Sequence, residues 1–273
     1  MYAPGFDTLA LNLDGAIAEV RLARPERSNA LNATMWQEIR QAFEWIDCAP
    51  DIRVAILTGE GRHFCAGIDL SMLAGVKQQI AAADGARSRE ALRRLILDLQ
   101  DCLTAIERCR KPVIAAIHGA CVGGALDLVT CCDLRYAAAD AVFSIKEIDI
   151  GMVADVGTLQ RLPRLIGDGL TRELAYTGRN MDAAEAAASG LVGRVFGDIS
   201  GLTAGVREIA RQIAARSPLA IRGTKEVINF SRDHSIADGL NFVATWNAAM
   251  LLSDDLNESL QAQQQKRPPA YKD

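Results

Sequence analysis

The sequence predicts an α/β fold: repeated β-β-α units forming a core, followed by a region that is helical throughout. Three observations point there. Short strand patterns flank one amphipathic helix between residues 9 and 57, a strand, turn, helix, strand order recurs between residues 113 and 145, and only helical periodicity remains beyond about residue 200. At 273 residues the chain can bury a substantial core as one elaborated domain, or as one domain with a small appendage. The expected division is a core over residues 1–200 and a helical region over 201–273, with no low-complexity linker between them.

Leu9 to Leu13 and Ile17 to Leu22 read as two strands around the Asp14-Gly15 turn, the second alternating Ile17, Glu19 and Arg21 against Ala18, Val20 and Leu22. Asn32 can cap a helix whose Met35, Ile39, Phe43 and Ile46 recur at helical spacing. Val54 to Leu57 is then a buried strand ended by Gly59. After a loop, Arg87 to Cys109 makes the longest helix: Leu92, Leu95, Ile96, Leu99, Leu103 and Ile106 share one face. It stops before Lys111-Pro112, because a residue preceding proline is pushed out of the helical region. Val113 to Ile117 is a buried strand, Gly119 to Gly124 a glycine-containing turn, Ala125 to Cys132 a short buried helix, and Leu134 to Ala137 and Val142 to Ile145 further strands. Thr203 to Arg216, Pro218 to Arg232, Ile236 to Leu252 and Asp255 to Gln265 read as helices, the second starting on a proline that suits a first helical turn. The Pro268-Pro269 tail is expected to fray.

Composition excludes several function classes. No apolar run approaches the roughly 20 residues of a bilayer helix. A net charge of −4 and a pI near 5.5 give no basic field for a nucleic acid backbone. The seven cysteines are an odd number, and Cys102, Cys121, Cys131 and Cys132 lie in apolar segments, which suits a reducing compartment. No Cys-x-x-Cys occurs, and His63, His118 and His234 are far apart, so no metal is expected and each histidine reads as structural. The first residues lack the features of a signal or transit peptide and Ala270-Tyr271-Lys272-Asp273 matches no common address, so the expected location is cytoplasmic.

Three carboxylates stand where apolar patterning favours small or greasy residues: Asp127 in Gly-Gly-Ala-Leu-Asp-Leu, Glu147 in Ser-Ile-Lys-Glu-Ile-Asp and Asp155 in Met-Val-Ala-Asp-Val-Gly. Each alone has a plain explanation. Asp127 sits in a helical first turn, where the dipole favours an acid by about 0.3–1 kcal/mol. Glu147 can pair with Lys146, and Asp155 can cap a helix starting near Val156. Together, among Leu126, Leu128, Val129, Ile148, Ile150, Met152 and Val153, they need a reason to be in a poorly solvated neighbourhood, and acid/base chemistry is one. Asp133, Asp140 and Asp149 fall at element ends and read as structural.

Two glycine turns follow strands: Phe64-Cys65-Ala66-Gly67-Ile68-Asp69-Leu70 and Gly119-Ala120-Cys121-Val122-Gly123-Gly124-Ala125. Backbone N–H groups there can hold a negative oxygen, although Gly-Gly before a helix also serves tight packing. Other catalytic systems are missing: Ser144 has no Gly-x-Ser-x-Gly elbow, and no phosphate loop or dinucleotide fingerprint occurs.

These residues resemble the crotonase, or enoyl-CoA hydratase/isomerase, superfamily from Leu9 to about Arg267. Arg24-Pro25-Glu26-Arg27-Ser28-Asn29-Ala30-Leu31-Asn32 is similar to its opening motif. The segment 64–70, and Lys111-Pro112-Val113-Ile114-Ala115-Ala116-Ile117-His118-Gly119 with Gly123-Gly124, resemble its two oxyanion segments. The resemblance implies a crotonase-like spiral of β-β-α units with a C-terminal helical trimerisation region, assembling as a homotrimer or a dimer of trimers. It also implies an acyl-CoA thioester substrate whose carbonyl oxygen is held by the N–H groups of Ile68 and Gly124, with Ala66, Gly67, Asp69 and Leu70 lining the binding segment. No cofactor is implied beyond the coenzyme A of the substrate. Arg27 and Lys266 or Arg267 become candidates for its phosphate or adenine.

Hydratases of this superfamily place Glu three residues after the oxyanion Gly, and a Gly where this chain has Asp155. Here Asp127 replaces the first and Glu147 keeps the second acid position. Asp127, Glu147 and Asp155 together resemble the Δ3,5-Δ2,4-dienoyl-CoA isomerase branch, as do 231–235 and 240–247. That implies a base at C2, Glu147, an acid at C6, Asp155, and Asp127 tuning or positioning the pair, in fatty acid β-oxidation. The alternatives are an enoyl-CoA hydratase or Δ3-Δ2-enoyl-CoA isomerase on the same scaffold, and a non-catalytic RNA-binding relative, which the acidic pI opposes.

Overall fold

The computed structural model describes residues 3–81 and 84–272. β1 (Leu9–Asp14) and β2 (Ile17–Leu22) form the expected antiparallel hairpin, turning through Gly15 at a φ of +58°. α1 (Ala33–Cys48) starts where the Asn32 side chain accepts the Met35 N–H, and its Met35, Ile39, Phe43 and Ile46 are buried as their spacing requires. β3 (Val54–Gly59) lies parallel to β2. The loop expected next contains a helix, α2 (Leu70–Gln79). α3 (Gly85–Arg108) begins two residues before the predicted start, because Asp84 accepts the N–H groups of Ala86 and Arg87.

β4 (Val113–Ile117) pairs parallel with β3, and the glycine-containing turn that follows holds a short strand, β5 (Ala120–Val122), before α4 (Gly124–Thr130). β6 (Leu134–Ala138) joins β4, and β7 (Val142–Ser144) joins β5, both parallel. A 3-10 turn at Glu147–Ile150 precedes α5 (Thr158–Arg161), α6 (Pro163–Ile166) and α7 (Asp168–Thr177). β8 (Met181–Asp182), α8 (Ala183–Ser189) and β9 (Arg194–Phe196) complete the sheets. The large sheet has the order β1-β2-β3-β4-β6-β9 and the small one β5-β7-β8. The chain thus climbs as a spiral, crossing from a large-sheet strand to a small-sheet strand and closing the turn with a helix.

Four helices end the chain: α9 (Ile199–Ala214), α10 (Pro218–Asp233), α11 (Ile236–Met250) and α12 (Asp254–Gln264). α9 covers the outer face of the large sheet, where Leu202, Val206 and Ala210 meet Val54, Ile56, Ile114 and Ala116. Val113, Ala115 and Ile117 on the opposite face join the main core. Lys225 of α10 reaches into that layer, donating to Asp133 at 2.7 Å and to the Lys111 carbonyl at 3.1 Å, while Asp133 also accepts the Val113 N–H. Asp133 is therefore structural, as expected. The tail does not fray: Arg53 donates to the Tyr271 carbonyl at 2.6 Å, the Ala270 N–H to Glu258 at 2.6 Å, and Tyr271 pairs with Ser259 at 2.9 Å. Tail polar groups find partners on α12 and the core, which offsets the ordering entropy that a proline-rich end costs.

Candidate active site

The spiral itself brings the two glycine turns together. Cys65 bridges Cys121 in parallel, and Cys121 pairs with Phe143, so consecutive turns stack in register. Ile68 and Gly124 each stand three residues beyond the bridged cysteines and so occupy equivalent places in adjacent turns. Contact is close: a Cβ on Gly67, whose φ is +86°, would lie 2.6 Å from the Val122 carbonyl oxygen and 3.3 Å from the Gly124 nitrogen. Only glycine fits there. The Ile68 nitrogen lies 3.7 Å from where a Cβ on Gly124 would be. Among the described residues, neither the Ile68 nor the Gly124 N–H donates to a protein acceptor. Two convergent donors are left facing open space.

The first donor is fixed by the opening segment. The Ala66 N–H donates to Ser28, the Leu31 N–H to Gly67, and the Asp69 N–H to Leu31, at 2.9, 2.8 and 3.0 Å. Buried Asn29, with a φ of +55°, donates its side-chain amide to the carbonyls of Glu60 and His63 and accepts the Arg24 N–H. Asp69 is committed elsewhere: it pairs with Arg24 at 3.1 Å and caps α2 by accepting the Ser71 N–H. Ala66 and Leu70 are exposed.

Ile68 and Gly124 border a cavity of about 390 Å³. Its walls are Met72, Leu73 and Val76 from α2, Ile80 just after it, and Leu92, Leu95, Ile96 and Leu99 from α3. The apolar stripe of α3 continues from the core, where Leu103 and Ile106 are buried, into this cavity. The stripe therefore serves two purposes along one helix face.

Glu147 and Asp155 also line the cavity. Glu147 sits under the second glycine turn, its Oε1 3.2 Å from where a Cβ on Gly123 would be, and its Oε2 is buried without a partner among the described residues. Burial, reinforced by the charges of Asp127 and Asp155, pushes its carboxyl up to about 7. Burial likewise raises half-buried Asp155. Asp127 is not in the cavity wall. It lies fully buried behind it, Oδ1 accepting the Thr158 N–H at 2.5 Å and Oδ2 unpartnered, and burial pushes it up to about 6 against the opposing pull of that hydrogen bond.

The plain explanations of these carboxylates do not match the geometry. Lys146 pairs with Asp149 at 3.1 Å and with the Gly178 carbonyl, leaving Glu147 to the cavity. Among the described residues Asp155 caps no helix: α5 starts at Thr158, and the carboxylate at its N-terminus is that of Asp127. The two basic candidates separate. Exposed Arg27 lies one residue from Ser28, whose carbonyl holds Ala66, so it flanks the Ile68 segment. Lys266 is not brought to the cavity. Its segment runs to Tyr271, docked on Arg53 just before β3, whereas the chain departs for Ile68 from the far end of that strand.

The residues that sequence reasoning missed are α2, whose apolar side faces a cavity rather than a core, and Gln100, Thr158 and Arg161 around the Asp155 turn. Gln100 donates to the Asp155 carbonyl at 2.6 Å. No local pattern marks a polar side chain whose partner among the described residues is a backbone carbonyl 55 residues away.

The enoyl-CoA hydratase/isomerase family profile matches residues 12–273. The chain is 51% identical over 261 residues to the peroxisomal Δ3,5-Δ2,4-dienoyl-CoA isomerase of Arabidopsis thaliana, covering 95% of this chain and 94% of that one. It is 47% identical over 247 residues to the mitochondrial Δ3,5-Δ2,4-dienoyl-CoA isomerase of Homo sapiens, covering 90% and 75%. Among solved structures, an enoyl-CoA hydratase from Bacillus anthracis superposes with a TM-score of 0.89 at 33% identity, covering 97% of this chain and 99% of that one.

These relatives correct the expected cytoplasmic location, because their names place them in peroxisomes and mitochondria. Compartment is written in short address segments that a folded domain does not reveal, and Met1, Tyr2 and Asp273 lie outside the described residues. Fold, register and extent of the match agree: the chain has the crotonase-like spiral and belongs to the enoyl-CoA hydratase/isomerase family.

Proposed function

We propose that this chain is a Δ3,5-Δ2,4-dienoyl-CoA isomerase acting on fatty acyl thioesters in β-oxidation. The observation that carries the reading is one apolar cavity bordered by Glu147, Asp155 and the N–H groups of Ile68 and Gly124, with Asp127 buried behind it. Relatives of that name at 51% and 47% identity support it.

Charge dictates the roles. Loss of a C2 proton from a 3,5-dienoyl thioester spreads negative charge from the thioester oxygen to C6, and reprotonation at C6 leaves the 2,4-diene. The oxygen end needs donors that are already in place, and the Ile68 and Gly124 N–H groups are such a pair. Glu147, beside the Gly123-Gly124 turn and raised to about 7, is the base at C2. Asp155, whose raised carboxyl favours the protonated form, is the acid at C6. Asp127 contributes by raising Glu147 through its charge and by tethering Thr158. No cofactor is required beyond the coenzyme A of the substrate, for which Arg27 offers a cation beside the Ile68 segment. Exposed Ile228, Ile236 and Leu240 on α10 and α11 support assembly into a trimer or a dimer of trimers.

The test is to incubate the purified protein separately with a 3,5-dienoyl-CoA and a 2-enoyl-CoA. The expected result is the absorbance of a conjugated diene thioester from the first and no appreciable hydration of the second. Hydration of the second without isomerisation of the first overturns the reading in favour of a hydratase.

A further inference from the structure

Asp155 sits on a thin wall. On one side is the apolar cavity, bordered by Asp155 and Val156, and on the other a polar cavity of about 430 Å³, bordered by Val156, Gly157, Gln100 and Arg161. Ala154 and Val156 anchor the turn in the main core, but Asp155 between them is only half-buried, so the bonds around it decide where its carboxyl points. Gln100 of α3 donates to the Asp155 carbonyl at 2.6 Å. Gly157 has a φ of +136°, and a Cβ there would collide with Arg161 Nη1, so the guanidinium fills the space beneath the turn. The Arg161 N–H donates to the Gly157 carbonyl at 3.0 Å.

Arg161 is itself anchored. Its Nη2 and Nε reach Glu107 Oε2 at 2.7 and 3.1 Å, with side-chain exposures of 17% and 13%, and the other Glu107 oxygen takes Arg232. A guanidinium held at two nitrogens by a shielded carboxylate is fixed in direction as well as place. Its charge also opposes the burial that pushes Asp127 up.

We propose that Gln100 and Arg161, the latter anchored by Glu107, are positioning residues that hold the Asp155 turn so that its carboxyl meets the distal end of the dienolate. Neither is in the wall of the apolar cavity. The inference rests on the reading of Asp155 as the acid at C6, and it assigns the two sides of the cavity to different supports. Glu147 follows β7 and lies against the Gly123-Gly124 turn.

The experiment uses Gln100→Met, Arg161→Met and Asp155→Asn in the full-length protein with a 3,5-dienoyl-CoA in heavy water. Deuterium entering C2 and diene formation are followed together. Since a misplacement of ~1 Å can cost about 10²-fold, Gln100→Met and Arg161→Met should each lower diene formation at least about tenfold while C2 exchange, read where the parent's profile has levelled off above about pH 8, stays within about twofold. A loss confined to stability would lower both readouts in parallel, and that outcome, or no change in either, overturns the proposal. Gln100→Met removes one hydrogen bond from a half-buried side chain, so it remains informative if Arg161→Met fails to fold. If Asp155→Asn separates the two readouts and the other variants do not, positioning alone is wrong. If Asp155→Asn isomerises normally, the assignment of Asp155 to C6 falls instead.

Discussion

Asp127 caps the helix that begins at Thr158: its Oδ1 accepts the Thr158 N–H at 2.5 Å across 31 residues of sequence. The bond ties α4, which presents Gly124 at its N-terminus, to the turn that carries Asp155. One carboxylate thereby links the Gly124 side of the cavity to the Asp155 side. Its other oxygen is buried without a partner among the described residues, as is the Thr158 hydroxyl, so the charged form is only partly compensated.

That incomplete compensation predicts a pH-dependent stability effect. Burial raises the folded-state carboxyl of Asp127 to about 6, above its unfolded value, so its favourable contribution is complete at acid pH and is lost as pH rises through about 6. The rise from the ordinary aspartate value is worth on the order of 2–3 kcal/mol. Asp127→Asn, neutral throughout and still able to accept from Thr158, should therefore gain stability relative to the parent between about pH 4 and about pH 8, by up to that amount. Urea unfolding at the two pH values measures it. A variant whose stability difference from the parent does not change with pH would show that Asp127 is not held against ionisation.

The oxyanion assignment predicts the effect of a single methyl group. Gly124→Ala would place a Cβ 3.7 Å from the Ile68 nitrogen, in the space between the two donors, and its nearest obstacle is Leu31 Cδ1 at 3.3 Å, the end of a movable side chain. The turn should fold with little loss of thermal stability. Alanine keeps its own N–H, so the methyl acts by obstructing the oxygen's approach, and isomerisation should fall by up to about 10²–10³, the cost when one such donor can no longer reach the oxygen. Normal turnover in a folded variant would remove Gly124 from the oxygen-binding role.

The sequence made the fold legible wherever one period ran long enough. The hairpin, α1, α3 and the four final helices carry clear alternation or helical spacing, and Asn32 and Pro218 mark starts that the structure keeps. Short elements were hidden for physical reasons. β5 has three residues inside a glycine turn and is defined by its neighbours Cys65 and Phe143, not by its own pattern. α5 and α6 have four residues each, too few for a periodic signal. At the site, an acid among apolar residues was enough to single out Asp127, Glu147 and Asp155. Their division into two cavity-facing groups and one buried behind was not readable, because it depends on Thr158 and Gln100 meeting partners that are distant in sequence.

The two cavity-facing carboxylates should fail in different ways. Glu147→Gln removes the proposed base and should abolish both deuterium entry at C2 and diene formation. Asp155→Asn should leave C2 exchange detectable while suppressing the diene, because the dienolate forms but is not completed at C6. The base must be ionised, and burial pushes Glu147 up to about 7, so C2 exchange in the parent should rise with pH and level off above about 7. Asp127 contributes to that rise by its negative charge, so Asp127→Asn should move the C2 exchange profile to lower pH. Exchange followed by mass spectrometry across the pH range, alongside diene absorbance, tests all three variants with one substrate. If Glu147→Gln exchanged C2 protons like the parent, or if the exchange profile of Asp127→Asn did not move, the base would have to be sought elsewhere in the cavity.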